Sequence, residues 1–256
     1  MHPHLFGIEW LESYLVMMVI GMIFALFILR TYSEKMGIPY KTFNFYLIIG
    51  VVSIVIGLVS AFLFQQIYNY IDDMKHGREF YARGLTFMGG LIGGVVTFLL
   101  GVKLFGKEED KKYFFKVISI AAFGIAFAHF FGRVGCTLAG CCYGVETDAW
   151  FGIKFITTTT EVIPTQLIEA LFLLILSFVL MVLLNKNKWQ YNIFIYGISY
   201  AIFRFIIEFF RGDARGTFLP LFSPSQWQVL FMFVISLVTL MIYYRKNRES
   251  TLKTKE

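Results

Sequence analysis

Seven apolar stretches, each about as long as a helix needs to cross a bilayer, constrain this chain more than anything else in it. Crossing about 30 Å of hydrocarbon takes roughly 20 helical residues. Runs of that length fall at about 11–29, 43–65, 84–105, 113–132, 166–184, 191–210 and 226–244. The composition agrees: 57% of the 256 residues are hydrophobic and 16% are charged. A soluble domain lies nearer an even apolar share with about a quarter charged. Thirty Phe and fourteen Tyr suit lipid-facing surfaces with aromatic belts. The expected fold is therefore an all-α integral membrane protein of about seven transmembrane helices, residues 1–256 forming one polytopic domain. No internal repeat or separate soluble domain is evident. Residues 1–10 lack Lys and Arg, and no small-residue cleavage site follows the first run, so no cleavable signal peptide is expected.

Basic residues orient the spans. Fifteen Lys and Arg fall in 30–42, 103–116, 185–190 and the tail after Tyr244, against seven in 66–83, 133–165 and 211–225. The positive-inside rule then places the N-terminus outside and the C-terminus in the cytoplasm. The net charge of +6 resides in short loops between spans, which argues for membrane lipids and against nucleic acid as partners.

Charges inside the apolar runs are few and patterned. Tyr200, Arg204 and Glu208 recur every fourth residue, and Arg211 follows three later, so a helix would carry all four on one face. A charge near the bilayer centre costs about 2.5–3.5 kcal/mol or more, so Arg204 and Glu208 should be paired and turned toward protein or a wet cavity. A helix-locking ion pair is the plain alternative. A second basic site, Gly132-Arg133-Val-Gly135-Cys136-Thr-Leu-Ala-Gly140-Cys141-Cys142-Tyr-Gly144, stands at the end of the fourth span. Its glycines, Gly135 and Gly144 among them, are expected to form a loop admitting a ligand close to the backbone, with Arg133 opening the loop toward a phosphate or carboxylate. The other reading is a tight turn with a snorkelling Arg.

His129 lies four residues before Arg133 and can share its helix face. Arg83 to Gly94 opens the third span. Its small residues point first to close helix packing, most clearly at Gly93 and Gly94. Pro164-Thr-Gln166-Leu-Ile-Glu169 and Ser223-Pro-Ser-Gln226 read as helix starts. Capping accounts for Thr165 and for Ser223 or Ser225, while Gln166, Glu169 and Gln226 either line a cavity or serve as caps and interface anchors.

Four ordered segments together resemble the prolipoprotein diacylglyceryl transferase family, from near residue 80 to about 230. They are Arg83 to Gly94, Gly132 to Gly144, Gln166-Leu-x-Glu169-Ala, and Tyr200-x3-Arg204-x3-Glu208-x2-Arg211. The resemblance implies transfer of a diacylglyceryl group from phosphatidylglycerol to the thiol of a lipoprotein precursor's lipobox cysteine, at the outer face of the bacterial cytoplasmic membrane. It implies catalytic roles for Arg133, Arg204 and Glu208. Substrate contacts fall to Tyr200, Arg211, Gly89, Gly90, Gly135, Gly144 and Gln166. The sequence departs from the family at Met88, where a His is usual, and at Cys136, Ala139 and Cys141, where Asn, Asn and Glu are usual. The thiol-activating base is then Glu208 or His129.

Cys136, Cys141 and Cys142 lie within seven residues. They read as small hydrophobes, as one loop disulfide with a spare thiol, or as a nucleophile, Cys136 or Cys141, activated by Arg133. C-x4-C-C is not a usual zinc spacing, and neither a metal nor a cofactor is expected. Two other functions remain open: a transferase with another acceptor or its own cysteine as nucleophile, and a non-catalytic phospholipid-binding or transport protein.

Overall fold

The computed structural model describes residues 12–75, 77, 79, 81–82, 84, 86–212 and 221–253. Of the basic residues that orient the spans, Arg78, Arg83, Arg215 and Lys255 lie outside the described residues. The helices are α1 (Ser13–Lys35), α2 (Tyr40–Lys75), α3 (Phe87–Phe105), α4 (Glu108–Lys112), α5 (Phe114–Ala139), α6 (Thr165–Asn185), α7 (Asn192–Ile207) and α8 (Pro224–Lys253). Short 3-10 turns at Trp189–Tyr191 and Glu208–Phe210 flank α7. Seven of these segments are long and apolar enough to span a membrane, in the expected order. Among the described residues, β pairing is confined to three isolated bridges. The chain is an all-helical, multi-pass membrane protein.

Several helices run past the apolar stretches that announced them, α2 and α5 among them. α2 continues ten residues past the expected 65. No Gly or Pro interrupts 58–76, and the polar side chains there satisfy one another along the helix. Gln65 Nε2 donates to Asn69 Oδ1 at 2.9 Å, and Asn69 Nδ2 to Gln66 Oε1 at 3.2 Å. α5 likewise continues to Ala139, so Arg133 lies inside a helix rather than opening a loop. A hydropathy limit marks where charge begins, not where backbone hydrogen bonding ends.

The chain forms two compact units. Residues 33–117 make one of them. Its core is the α2–α3 contact, which small residues bring close. A Cβ on Gly89 would stand 2.7 Å from Phe64 Cβ, and one on Gly93 2.4 Å from Ser60 Cβ. Gly90 faces Ala61 and Gly57, and Gly94 faces Ser53. The packing reading of Gly93 and Gly94 is what the structure shows. Gly89 and Gly90, expected to approach a ligand, share that packing role. In the same unit, buried Asp110 accepts from Thr42 Oγ1 at 2.7 Å and from the Lys107 amide at 3.1 Å, fixing the turn around α4.

The other unit comprises residues 1–32 and 118–256. Gly135 lets α5 approach α1, since a Cβ there would lie 3.2 Å from Tyr14 Cα and from Met17 Cβ. Phe172 of α6 stacks on Phe203 of α7 at 4.0 Å, and the buried Asn192 amide donates to the Leu180 carbonyl at 3.1 Å. Gly197 of α7 seats Ser236 of α8. The inward faces are apolar, and so are long outward faces, including Leu171, Ile175, Phe178 and Val179 of α6. Such surfaces suit lipid rather than water.

Candidate active site

In this unit the C-terminal ends of α5 and α7 meet the N-terminal ends of α6 and α8. The polar residues that interrupt the apolar pattern concentrate there. Glu169, one turn into α6, is fully buried. Arg133 Nε of α5 approaches its Oε1 to 3.1 Å, and the Tyr200 hydroxyl of α7 donates to that oxygen at 2.9 Å. His129 Nε2 stands 3.9 Å from the same atom, and Arg204 Nη1 3.9 Å from Oε2. The His129 ring packs edge-on against Tyr200 at 5.0 Å. Burying an ionised carboxylate costs several kcal/mol unless charge and hydrogen bonds compensate. Here α5 supplies one guanidinium and α7 supplies a hydroxyl and a second guanidinium.

Arg204 also pairs along its own helix, Nη2 lying 2.7 Å from Glu208 Oε2. The expected Arg204–Glu208 pair is therefore present, but it belongs to a larger array. Ser223 Oγ donates to Glu208 Oε1 at 2.8 Å, and Arg204 Nη2 reaches Ser225 Oγ at 3.5 Å. Ser223 caps α8 as expected: its Oγ accepts from the Gln226 amide at 3.2 Å, while its own amide donates to Gln226 Oε1 at 3.0 Å. Thr165 does not cap α6. Its hydroxyl donates to the Cys142 carbonyl at 2.8 Å, tying the preceding loop to the helix start. Gln166 is fully buried, one turn before Glu169, and neither of its amide atoms has a hydrogen-bond partner among the described residues. A buried amide in that state is poised for a polar ligand group.

Arg211 leaves the face it was expected to share. The backbone tightens into a 3-10 turn at Glu208–Phe210, and Arg211 is extended, its backbone bridging to Gly144. Gly144 sits where three segments cross. A Cβ there would fall 2.5 Å from the Phe210 carbonyl oxygen and 2.8 Å from Ile163 Cβ. Gly144→Ala is thus expected to destabilise the fold by about 1–3 kcal/mol. Thermal unfolding in detergent checks this, and an unchanged midpoint would refute it.

The glycine-rich segment is therefore not the open loop expected of it. α5 ends in a Schellman motif: Gly140 has φ +70, the Gly140 amide donates to the Thr137 carbonyl at 3.3 Å, and the Cys141 amide to the Cys136 carbonyl at 3.1 Å. Cys142 follows with φ +67. All three thiols are free. Hydrogen bonds from Cys136 and then Cys141, aided by the Arg211 guanidinium, pull the Cys142 thiol far below the ordinary range. For Cys141, the hydrogen bond with Cys136 lowers the value, but that with Cys142 and burial outweigh it and push the thiol up. The depressed thiol is therefore Cys142, beside Arg211, whereas the nucleophile expected from the sequence is Cys136 or Cys141 activated by Arg133. Because the folded value is depressed, the thiolate persists as pH falls. Iodoacetamide labelling of Cys142 should stay nearly level from pH 8 to 6, where an ordinary thiol slows about tenfold per unit. Peptide mapping checks this, and a tenfold-per-unit decline at Cys142 would refute it.

Arg133, His129, Tyr200, Arg204 and Glu208 therefore converge, while Arg211 joins the cysteines. Glu169 was left undecided between cavity and interface, and the structure makes it the hub. Its position in Gln166-Leu-x-Glu169-Ala, one turn after a helix start with no cationic neighbour in sequence, was the available signal.

Comparison with known proteins matches the sequence to a family. The family model described as prolipoprotein diacylglyceryl transferase matches residues 3–242. The phosphatidylglycerol–prolipoprotein diacylglyceryl transferase of Clostridium tetani (strain Massachusetts / E88) is 30% identical over 91% of this chain and 93% of its own length. Transferase 2 of the same description from Clostridium perfringens (strain 13 / Type A) is 31% identical over 96% of each chain. That of Helicobacter pylori (strain G27) is 28% identical over 93% of this chain and 88% of its own. The chain belongs to the prolipoprotein diacylglyceryl transferase family.

Proposed function

We propose that this protein transfers a diacylglyceryl group from phosphatidylglycerol to the cysteine thiol of a lipoprotein precursor, at the outer face of the bacterial cytoplasmic membrane. The observation that carries this reading is the array on Glu169, where Arg133 and Arg204 flank one buried carboxylate. In the reaction the acceptor sulfur forms a bond to the terminal glyceryl carbon, and that carbon's bond to the phosphate oxygen breaks. The electron pair leaves with glycerol phosphate, and the thiol proton passes to a base. A guanidinium offers planar N–H donors suited to phosphate oxygens, so Arg133 and Arg204 neutralise the headgroup and the charge that develops on departure. Glu169 holds both arginines in place and orients Tyr200.

His129 is the better-placed base. Its side chain keeps 27% exposure and lies beside Tyr200. Glu208, 4% exposed, is engaged by Arg204 and Ser223. The remaining groups bind and position: Gln166 offers its amide to the glyceryl or phosphate oxygens, and Arg211 supports the loop that carries Gly144.

The test uses purified protein, labelled phosphatidylglycerol and a lipobox peptide. Thioether-linked diacylglyceryl on the peptide cysteine, absent from a peptide with Ser in its place, is the expected result. Lipid bound without transfer would instead favour a non-catalytic phospholipid-binding protein and overturn the proposal.

A further inference from the structure

The helix stop after α5 assembles a second chemical centre that the transfer reaction does not use. The Sγ atoms of Cys136, Cys141 and Cys142 all lie within 4.8 Å of one another. The backbone imposes this convergence. The Schellman motif folds Cys141 back over Cys136, and the left-handed residue Cys142 turns the third thiol into the same space. A disulfide would join two of these sulfurs and strand the third. A metal–thiolate bond of about 2.3 Å places the sulfurs of one site about 4 Å apart, so a single ion satisfies all three with small adjustments.

Chemistry narrows the ion. The cluster consists of sulfur alone, which selects soft cations over those preferring oxygen. Structural zinc takes four protein ligands, whereas three thiolates complete a trigonal Cu(I) site. Three thiolates around Cu(I) carry two net negative charges. Arg211, beside the Cys142 sulfur, offsets one of them. Cys136 is buried, Cys142 half-buried and Cys141 exposed, which gives an anchored site with one reachable ligand. We propose that Cys136, Cys141 and Cys142 bind one Cu(I) ion.

The test titrates the reduced full-length protein in detergent with Cu(I), under nitrogen, against a chromogenic Cu(I) chelator. One Cu(I) retained per chain, with all three cysteines protected from alkylation and sulfur-only coordination by X-ray absorption, is expected. Cys136→Ser and Cys142→Ser should each weaken retention at least tenfold. Cys141→Ser should do the same, and because its side chain is exposed the fold should be kept, as circular dichroism checks. Failure to retain one equivalent, retention unchanged in Cys141→Ser, or coordination through nitrogen or oxygen would overturn the proposal.

Discussion

Glu169→Gln is expected to abolish transfer nearly completely, by at least about a thousandfold, and to lower stability by about 3–5 kcal/mol. The substitution preserves side-chain size and removes only the charge. Arg133 and Arg204, which meet the carboxylate from two helices at 3.1 and 3.9 Å, would then face each other across a neutral amide. Breaking a buried ion pair by removing one partner leaves uncompensated charge, which is where the large cost arises. Tyr200 would keep a hydrogen bond, so α7 would remain docked on α6 through Phe172 and Phe203. Folded but inactive protein is the outcome, read from the unfolding midpoint and from thioether formation on a lipobox peptide. Activity within tenfold of the wild type would show that Glu169 does not organise the site.

Arg204→Lys is expected to lower transfer by about 10²–10³-fold while preserving insertion and fold. Arg204 meets Glu208 at 2.7 Å, Ser225 at 3.5 Å and Glu169 at 3.9 Å. A lysine keeps the positive charge near Glu208 but cannot present a planar fork to two carboxylates, a hydroxyl and a phosphate together. The effect should therefore appear mainly in kcat. Loss confined to KM would mean that Arg204 serves ground-state binding alone.

Much of this molecule was legible in its sequence, for different reasons in different places. The seven spans follow from hydropathy because lipid solvation acts on each segment locally. Arg204 and Glu208 were readable because their spacing places them on one helix face, and helical geometry enforces their pair. What stayed hidden depends on contacts between segments. Glu169 has no charged partner within a turn of α6, so only the approach of α5 and α7 shows it to be the hub. Gly135 and Gly144 read as ligand approaches, since a small residue looks the same whether a ligand or another backbone needs the space. Gly135 admits α1, and Gly144 admits the Phe210 carbonyl. C-x4-C-C resembled no familiar metal spacing, because sequence distance ignores the Schellman turn that brings residues five apart together.

Release of glycerol phosphate from labelled phosphatidylglycerol most directly tests whether the Glu169-centred array is where the phospholipid is cleaved. It should be measured with and without lipobox peptide, for the wild type and Glu169→Gln side by side. Peptide-dependent release by the wild type, matched by thioether formed, and almost none by folded Glu169→Gln are expected. Release that proceeds equally in both proteins, or that never occurs in the wild type, would contradict that role for the array.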